Sequence, residues 1–204
     1  MKYYQDITLL SCHEIPLSFI WGKIYMQIHL GLVSQKNAGK ETSIGVSFPE
    51  YEDKAASFPL GAKLRLFAET EEELTDFNVE ALLSRFVNDY VDITPIKPVP
   101  SEVDGYAVFE RIHALKSRLP KARRYAKRHN VSLEEANSEL ERLAASAEKA
   151  APAILYQSLP FIQMDSLSNG HKFRLLIHKK TVPSFSKGTF NVYGLSSSAS
   201  VPIF

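Results

Sequence analysis

The sequence contains a single cysteine, Cys12, among its 204 residues. One cysteine can form no disulfide within the chain and can supply no cysteine-based metal site, so both are excluded. No apolar run approaches the roughly 20 residues that a membrane-spanning helix needs. The first residues, MKYYQDITLL, also lack the pattern of a signal peptide. We therefore expect a protein of the cytoplasm.

Acidic residues are absent from the segment Arg111–His129, which holds eight lysines and arginines. The whole chain has a net charge of only +1, so this segment is a local positive patch. From Lys121 onward the spacing is helical, and one broad face holds four cations: Arg123, Arg124, Lys127 and Arg128. Like charges at this spacing destabilise a free helix, which indicates that a polyanion neutralises them. The alternative is a solvated basic face, although solvated helices usually mix both signs.

Strands and helices alternate in the first half of the sequence. A helix with a buried apolar stripe is predicted after Pro16 and ends near Gln35, and a second opens at Glu71 with the capping box of Thr70 and Glu73. The predicted strands are residues 3–10, 44–49, 63–69 and 90–96. The order strand, helix, strand, strand, helix, strand predicts a ferredoxin-like domain, the scaffold also used by the RNA recognition motif.

Three prolines, Pro95, Pro98 and Pro100, indicate a boundary between two domains. The predicted fold class is α+β, with a ferredoxin-like domain at 1–97 and an α+β half at 98–204 that carries the basic helix. A second capping box, Ser132 with Glu135, predicts another helix over 133–148. Two further strands, 161–164 and 172–178, are predicted to form a hairpin that turns at Asn169 and Gly170.

Histidines are the candidates for acid–base chemistry, and the chain has six: His13, His29, His113, His129, His171 and His178. They lack zinc spacing, and the acids form no close group of the kind a two-metal nuclease needs. Any nuclease chemistry is therefore expected to be metal-free. On RNA such a route uses the substrate's own 2′-hydroxyl, with a histidine as general base because its pKa is ordinarily about 6.5.

Spacing alone does not choose among these histidines. His29 lies one residue off the apolar stripe of the first predicted helix, so it can reach the surface. The alternative is a half-buried helical histidine without a catalytic role. For His113 and His129, inside the basic segment, the alternatives are an RNA contact or a favourable charge at a helix end.

Five stretches carry a resemblance to a known family. They are WGKIYMQIHLGLVSQ around His29, IGVSFP at 44–49, the basic segment through RHNVSLEEA, DSLSNGHKFRLLI at 165–177, and the final VYGLSSSASVPIF. In this order they resemble the CRISPR precursor-RNA endoribonucleases of type I-F systems, which cut repeat transcripts into guide RNAs. The resemblance covers nearly the whole chain, and IGVSFP and the final YGLS segment are its most specific parts.

The resemblance implies catalytic roles for three positions. His29 falls where the family has its catalytic histidine, and Tyr193 matches the tyrosine near that histidine. Ser166 falls where the family has the serine that holds the ribose at the cleavage site. From the sequence alone, Ser166 is equally typical of a hairpin turn.

The resemblance also implies a set of RNA contacts. Phe173 matches an aromatic residue that stacks on a base at the foot of the hairpin, with Ser168 nearby, and Arg111 matches an arginine that reads a guanine edge. His113 stands where a glutamine is expected, which leaves the neighbouring base preference open. The matching positions of the basic helix, which in the family enters the major groove of the stem, are Lys121, Arg123, Arg124, Lys127, Arg128 and His129.

We therefore expect a bacterial CRISPR endoribonuclease that needs no metal or other cofactor, in a system that serves antiviral defence or directs a transposon. It would cleave a CRISPR repeat stem-loop at its 3′ base, leave a 2′,3′-cyclic phosphate and stay bound as a subunit of the surveillance complex. The free protein is expected to be a monomer. One alternative is a non-catalytic subunit that only binds the RNA hairpin, and another is a basic DNA-binding protein.

Overall fold

The computed structural model describes residues 1–10, 14–35, 41–51, 58–112, 118–147, 159–166 and 170–204. The chain forms two compact units, one of Met1–Ile112 with Leu159–Phe204 and one of His113–Ser158. The first unit combines helices with strands, and the described elements of the second unit are helices. The predicted α+β class is therefore confirmed. In the parts of the chain that the structure describes, no helix is long and apolar enough to cross a membrane.

The first unit contains three helices and eleven strands in its described residues. The helices are Leu17–Ser34 (α1), Glu71–Phe77 (α2) and Val79–Leu82 (α3). The strands are Tyr3–Leu9 (β1), Glu41–Thr42 (β2), Gly45–Ser47 (β3), Lys63–Ala68 (β4), Val91–Ile93 (β5), Lys97–Pro98 (β6), Gly105–Ile112 (β7), Phe161–Asp165 (β8), Lys172–Val182 (β9), Phe190–Asn191 (β10) and Val201–Ile203 (β11). The second unit contains Arg118–His129 (α4) and Leu133–Ala147 (α5).

Helix α1 forms because its apolar residues recur every three or four positions and bury one face. Ile24, Ile28 and Leu32 on this face are fully buried, as predicted from the spacing. Trp21 is also fully buried, and its indole N–H donates to the Gly61 carbonyl at 2.8 Å. The polar atom of the largest core side chain is therefore satisfied, which avoids the cost of burying an unpaired donor.

The first sheet has the strand order β3-β4-β1-β5, and every neighbouring pair is antiparallel. Strand β6 also pairs with β1. The four strands predicted between residues 3 and 96 are thus present, each shorter than predicted. Helix α2 begins as predicted, because the Thr70 hydroxyl accepts from the Glu73 N–H at 3.3 Å and the Glu73 carboxylate accepts from the Thr70 N–H at 3.1 Å. Asn78 ends it in the left-handed conformation, with φ of 46°.

The second sheet has the order β11-β7-β9-β8. The predicted hairpin of β8 and β9 is confirmed, with Met164 opposite Phe173 and Asp165 opposite Lys172. Strand β7 was not predicted. Four consecutive residues of it are buried, and one of them is Glu110, so the strand lacks the alternation that marks a half-buried strand. Glu110 tolerates burial because it accepts from Lys180 at 2.7 Å and contacts His178 at 3.0 Å.

The first unit extends past the predicted boundary at residue 97, to Ile112. Strand β6, Lys97–Pro98, pairs with β1 at this boundary. The predicted division into domains at 1–97 and 98–204 stays a prediction. The predicted capping box at the start of α5 is confirmed in the second unit, where the Ser132 hydroxyl accepts from the Glu135 N–H at 3.1 Å. Helix α4 begins three residues before Lys121, where the helical pattern was first noted.

Helix α1 approaches strand β8 very closely at Gly22. A Cβ atom built on Gly22 would lie 2.6 Å from the backbone oxygen of Gln163, a distance that real Cβ atoms do not show. Because the obstacle is backbone and not a flexible side chain, a larger residue at this position must push the helix and the strand apart. The missing side chain of Gly22 thus sets the distance between α1, which carries His29, and β8, which ends beside Ser166.

We expect Gly22→Ala to lower the free energy of unfolding by about 1–3 kcal/mol, the usual cost of overpacking a core. Helix propensity alone predicts the opposite sign, since alanine in a helix interior is favoured over glycine by about 1 kcal/mol. Urea denaturation monitored by circular dichroism measures the change. Ser18→Ala, at an exposed position of the same helix, is the matched control and should stay near wild type. A Gly22→Ala protein as stable as wild type would contradict the tight contact.

Candidate active site

A cleft of about 260 Å³ opens in the first unit where α1, the β8–β9 hairpin and the turn after β10 meet. Seven side chains line it: Met26, His29, Met164, Asp165, Ser166, Phe173 and Tyr193. His29, Ser166, Phe173 and Tyr193 are four of the residues predicted to act on RNA. The fold therefore brings together residues that lie more than 160 positions apart in the sequence.

His29 is fixed in the cleft by two contacts. Its Nδ1 lies 2.7 Å from the backbone oxygen of Val192, and its ring stacks on Tyr193 with centroids 4.2 Å apart and planes 3° apart. A carbonyl oxygen can only accept, so Nδ1 carries the hydrogen and donates it. In the neutral ring the lone pair is then on Nε2, which is the arrangement that a general base requires.

The turn that follows β10 holds both contacts in place. The side-chain oxygen of Asn191 accepts from the Tyr193 N–H at 2.8 Å and from the Leu195 N–H at 3.4 Å. Gly194 takes a left-handed conformation with φ of 70°, which a glycine adopts without strain. Its carbonyl accepts from the Val46 N–H of β3 at 2.8 Å. The turn is therefore bonded both to itself and to the first sheet.

Tyr25 adds a second link between α1 and this turn, and the sequence analysis missed it. Its hydroxyl donates to the Tyr193 carbonyl at 2.8 Å, one residue along from the carbonyl that His29 uses. Burial raises the pKa of the Tyr25 phenol well above its ordinary value, and the nearby Tyr193 adds to the effect, so the donor keeps its proton. The available signal was the spacing of four residues between Tyr25 and His29, which places both on one helical face.

Arg111, the second-last residue of β7, lies beside the cleft. Its guanidinium carbon lies 4.6 Å from the centroid of the Tyr193 ring and 5.5 Å from the centroid of the Phe173 ring. These distances are within the range of cation–π attraction. Arg111 is thus part of the same group of side chains, on the side of the cleft where Phe173 and Tyr193 lie.

The pKa of His29 lies below its ordinary value. Partial burial is the largest cause, because it disfavours the charged imidazolium. The hydrogen bond to the Val192 carbonyl opposes this effect, and the positive charge of Arg111 lowers the pKa further. His29 is therefore largely neutral at physiological pH.

Ser166 follows β8 at the neck of the hairpin. Its N–H donates to the His171 carbonyl at 2.8 Å, and its own carbonyl accepts from the Gly170 N–H at 2.8 Å. Gly170 has the left-handed conformation expected at such a turn, with φ of 68°. The backbone of Ser166 is therefore held on both sides, at a position that lines the cleft.

The other candidate histidines occupy different places. His178 lies 3.0 Å from Glu110, and His129 stacks on Tyr125 with ring centroids 4.2 Å apart. His171 is exposed beside Ser166 and does not belong to the cleft lining. Among the described residues, His29 is the histidine that lines the cleft. His13, His113 and Ser168 lie outside the described residues, as does Asn169 of the predicted hairpin turn.

The basic helix α4 belongs to the second unit. Ala122 is fully buried, and Tyr125 and Ala126 are partly buried. Five residues of α4 that were predicted to contact RNA have exposed side chains: Arg123, Arg124, Lys127, Arg128 and His129. The side chain of Lys121 lies outside the described part. The exposed face is thus the cationic one, as the sequence predicted.

Comparison with known proteins bears on this combination of cleft and basic helix. A family model described as CRISPR-associated protein (Cas_Csy4) matches residues 4–204. Two curated relatives carry the name CRISPR-associated endonuclease Cas6/Csy4, one from Escherichia coli (strain UTI89 / UPEC) and one from Pseudomonas aeruginosa (strain UCBPP-PA14). Each is 30% identical over 209 residues, which span the whole of this chain and of the relative. The resemblance noted in the sequence is confirmed, and the chain belongs to the Cas_Csy4 family of CRISPR-associated proteins.

Proposed function

We propose that the chain is a metal-independent endoribonuclease that processes CRISPR repeat RNA into guide RNA. The names of its two relatives support the role of a CRISPR endonuclease. The observation that carries the chemistry is the hydrogen bond from Nδ1 of His29 to the Val192 carbonyl, because it leaves Nε2 of a cleft histidine as a base. The substrate is a repeat stem-loop that is cut at the 3′ base of its stem.

The proposed reaction uses the RNA as its own nucleophile. Nε2 of His29 takes the proton of the 2′-hydroxyl, and the 2′ oxygen forms a bond to the adjacent phosphorus. The bond from phosphorus to the 5′ oxygen of the next nucleotide breaks, and the departing oxygen takes up a proton. The products are a 2′,3′-cyclic phosphate and a free 5′-hydroxyl.

Positioning accounts for the other cleft residues in this proposal. Ser166 holds the ribose so that the 2′ oxygen, the phosphorus and the leaving oxygen are in line, which supplies a large part of many rate enhancements. Tyr193 supports the imidazole through ring stacking. Phe173 stacks on the base at the foot of the stem, and Arg111 reads a guanine edge with two parallel donors.

The basic helix α4 supplies affinity for the stem. The major groove of A-form RNA is deep and narrow, so side chains there mostly contact phosphates. Phosphate contacts fix register and orientation but carry no sequence information. His113, Lys121 and Ser168 complete the proposed RNA contacts on the strength of the family resemblance.

We also propose the ferredoxin-like arrangement for the first sheet. The order β5-β1-β4-β3, with α1 after β1 and α2 after β4, supports it. After cleavage the protein stays on the hairpin of its product and becomes a subunit of the type I-F surveillance complex in the bacterial cytoplasm. The free protein is a monomer.

A cleavage assay with a single repeat stem-loop tests the function directly. Wild-type protein should cut the RNA with and without EDTA, and a 2′-deoxy nucleotide at the cleavage position should block cutting because the nucleophile is absent. Binding of the 2′-deoxy RNA should persist. Binding without any cleavage would favour the hairpin-binding subunit, and equal affinity for duplex DNA would favour the DNA-binding alternative.

His29→Ala should lower the cleavage rate by about 10²–10⁴-fold, the usual contribution of general-base catalysis. Affinity for the 2′-deoxy hairpin should stay near wild type, because a base acts on a proton in the transition state. Single-turnover kinetics and filter binding measure the two effects. His178→Gln is the control, since His178 contacts Glu110 away from the cleft and glutamine can still donate to that buried carboxylate; this variant should keep full activity. Normal cutting by His29→Ala would remove His29 from the mechanism.

The value of kcat/KM should rise with pH and then level off, because only neutral imidazole accepts a proton. Burial and Arg111 lower the pKa of His29, so the midpoint should lie below the ordinary value of about 6.5. Arg111→Ala should move the midpoint upward, whereas Arg111→Lys should keep it low because the charge remains. Rates that fall as pH rises, or a wild-type midpoint above about 6.5, would contradict this assignment.

Replacement of Arg124 and Arg128 by alanine should weaken hairpin binding and flatten its salt dependence. The slope of log affinity against log salt is about −0.9 for each phosphate neutralised on duplex DNA, so two lost contacts should change it by roughly two. Arg142→Ala in α5 is the matched control, because this exposed arginine is paired with Glu139 at 2.7 Å. If the slope stays at its wild-type value, the helix does not contact the stem phosphates.

A further inference from the structure

Residues 191–194, with the sequence NVYG, form a β-turn at the end of β10. The Asn191 carbonyl accepts from the Gly194 N–H at 2.7 Å, which is the hydrogen bond that closes such a turn. Asparagine at the first position and glycine at the last are typical of a type I turn. Val192 and Tyr193 are the central residues, so their carbonyls belong to the two peptide groups in the middle of the turn.

The first of these peptide groups is held at both ends. A trans peptide bond is planar, so the Val192 carbonyl and the Tyr193 N–H are rigidly joined and point in opposite directions. The N–H donates to the Asn191 side-chain oxygen at 2.8 Å, and the carbonyl lies 2.7 Å from Nδ1 of His29, from which it accepts. A rotation of the group that breaks one bond also moves the other. Asn191 therefore fixes the direction of the carbonyl that orients the imidazole.

The second peptide group is held in the same manner. Its N–H, from Gly194, donates to the Asn191 backbone oxygen, and its carbonyl, from Tyr193, accepts from the Tyr25 hydroxyl at 2.8 Å. Asn191 is itself fixed by Leu195, since its N–H donates to the Leu195 carbonyl at 2.8 Å and its side chain accepts from the Leu195 N–H at 3.4 Å. One asparagine thus holds both N–H groups of the turn whose carbonyls are bonded to α1.

We propose that Asn191 is a positioning residue for the His29 base and acts through the peptide group between Val192 and Tyr193. Hydrogen bonds in a chain polarise one another, so donation from the Tyr193 N–H to Asn191 makes the Val192 carbonyl a stronger acceptor for Nδ1–H. The chain favours the tautomer with its hydrogen on Nδ1 and leaves Nε2 to take the proton of the 2′-hydroxyl. The inference rests on the proposed function, since it gives Asn191 a part in the RNA cleavage assigned to this cleft.

A purely structural role for Asn191 predicts a different outcome. An asparagine that only stabilises the turn would affect how much of the protein is folded. The tautomer of His29 and the rate of cleavage would then be unchanged in the folded molecules. A positioning role changes both of these properties in protein that is fully folded.

The first test is the tautomer of His29, which the nitrogen chemical shifts of the imidazole report in isotope-labelled protein without any RNA. In wild type, at a pH above the pKa of His29, the hydrogen should be on Nδ1. Asn191→Ala should increase the fraction of the tautomer with its hydrogen on Nε2. A wild-type His29 that carries its hydrogen on Nε2 would overturn the proposal, whether or not the variant folds.

The second test is the single-turnover cleavage rate of a repeat stem-loop. Asn191→Ala should lower the rate about threefold to tenfold, the effect of losing one ordinary hydrogen bond. Its affinity for the 2′-deoxy hairpin should stay near wild type, because Asn191 does not line the cleft. Asn191→Asp keeps an acceptor for the Tyr193 N–H and suits the same turn position, so it should restore most of the rate. The rates are compared where the pH profile is level, so that the added charge of the aspartate does not change the fraction of neutral imidazole.

Asn78→Ala is the matched control, because it makes the same change at another asparagine. The Asn78 side-chain oxygen also accepts from a backbone N–H, that of Ala81 at 3.2 Å, and Asn78 does not line the cleft. This variant should unfold at a lower urea concentration than wild type and keep the wild-type tautomer and rate. If it slows cleavage as much as Asn191→Ala does, the effect is general destabilisation and the positioning role is wrong.

Failure of the positioning role is distinguishable from failure of the proposed function. If wild type does not cut the hairpin, or if His29→Ala cuts it normally, the proposed function is wrong. If wild type cuts and Asn191→Ala keeps both the rate and the tautomer, or if Asn191→Asp restores none of a lost rate, Asn191 has no positioning role while the proposed function stands.

Discussion

Two side chains of α1, Tyr25 and His29, donate to consecutive carbonyls of one turn, those of Tyr193 and Val192. A buried donor or acceptor left without a partner costs about 1–3 kcal/mol, so the helix and the turn hold each other in register. The shape of this turn depends on the hydrogen bonds to the Asn191 side chain and on the left-handed conformation of Gly194. The hydrogen bond that orients the imidazole is thus made to a backbone atom, which no side-chain substitution within the turn removes directly.

In the proposed function, the chemistry and the base contacts of Arg111 and Phe173 belong to the first unit, and the phosphate contacts of α4 belong to the second. The cleft is built in the first unit from side chains that are largely uncharged, with Arg111 as the main cation beside it. The concentrated positive charge lies on α4 in the second unit. A highly charged cleft would alter the pKa of its own base through every neighbouring cation, as Arg111 already does to His29. Burial is the largest influence on the pKa of that histidine.

Much of the fold could be predicted because its signals are local. The stripe of α1, both capping boxes and the β8–β9 hairpin depend on residues a few positions apart. Strand β7 was missed because Glu110 is buried within it, and a buried acid becomes acceptable only through Lys180 and His178 on another strand. The proposed role of His29 could not be derived from spacing, since its partner Val192 lies 163 residues away. The family resemblance supplied that assignment, along with Ser166 and Tyr193, where local reasoning left the alternatives open.

The second unit is inserted into the second sheet at a defined place. Ile112, the last residue of β7, and Phe161, the first residue of β8, both lie opposite Leu176 of β9, one on each side. Two strand spacings of about 4.8 Å therefore separate the points where the chain leaves and re-enters the sheet. Such close anchor points allow an inserted module to be exchanged while the sheet stays intact. Exchange of the segment between residues 112 and 161 for that of a relative would replace the basic helix α4, while the residues of the cleft in the first unit stay the same.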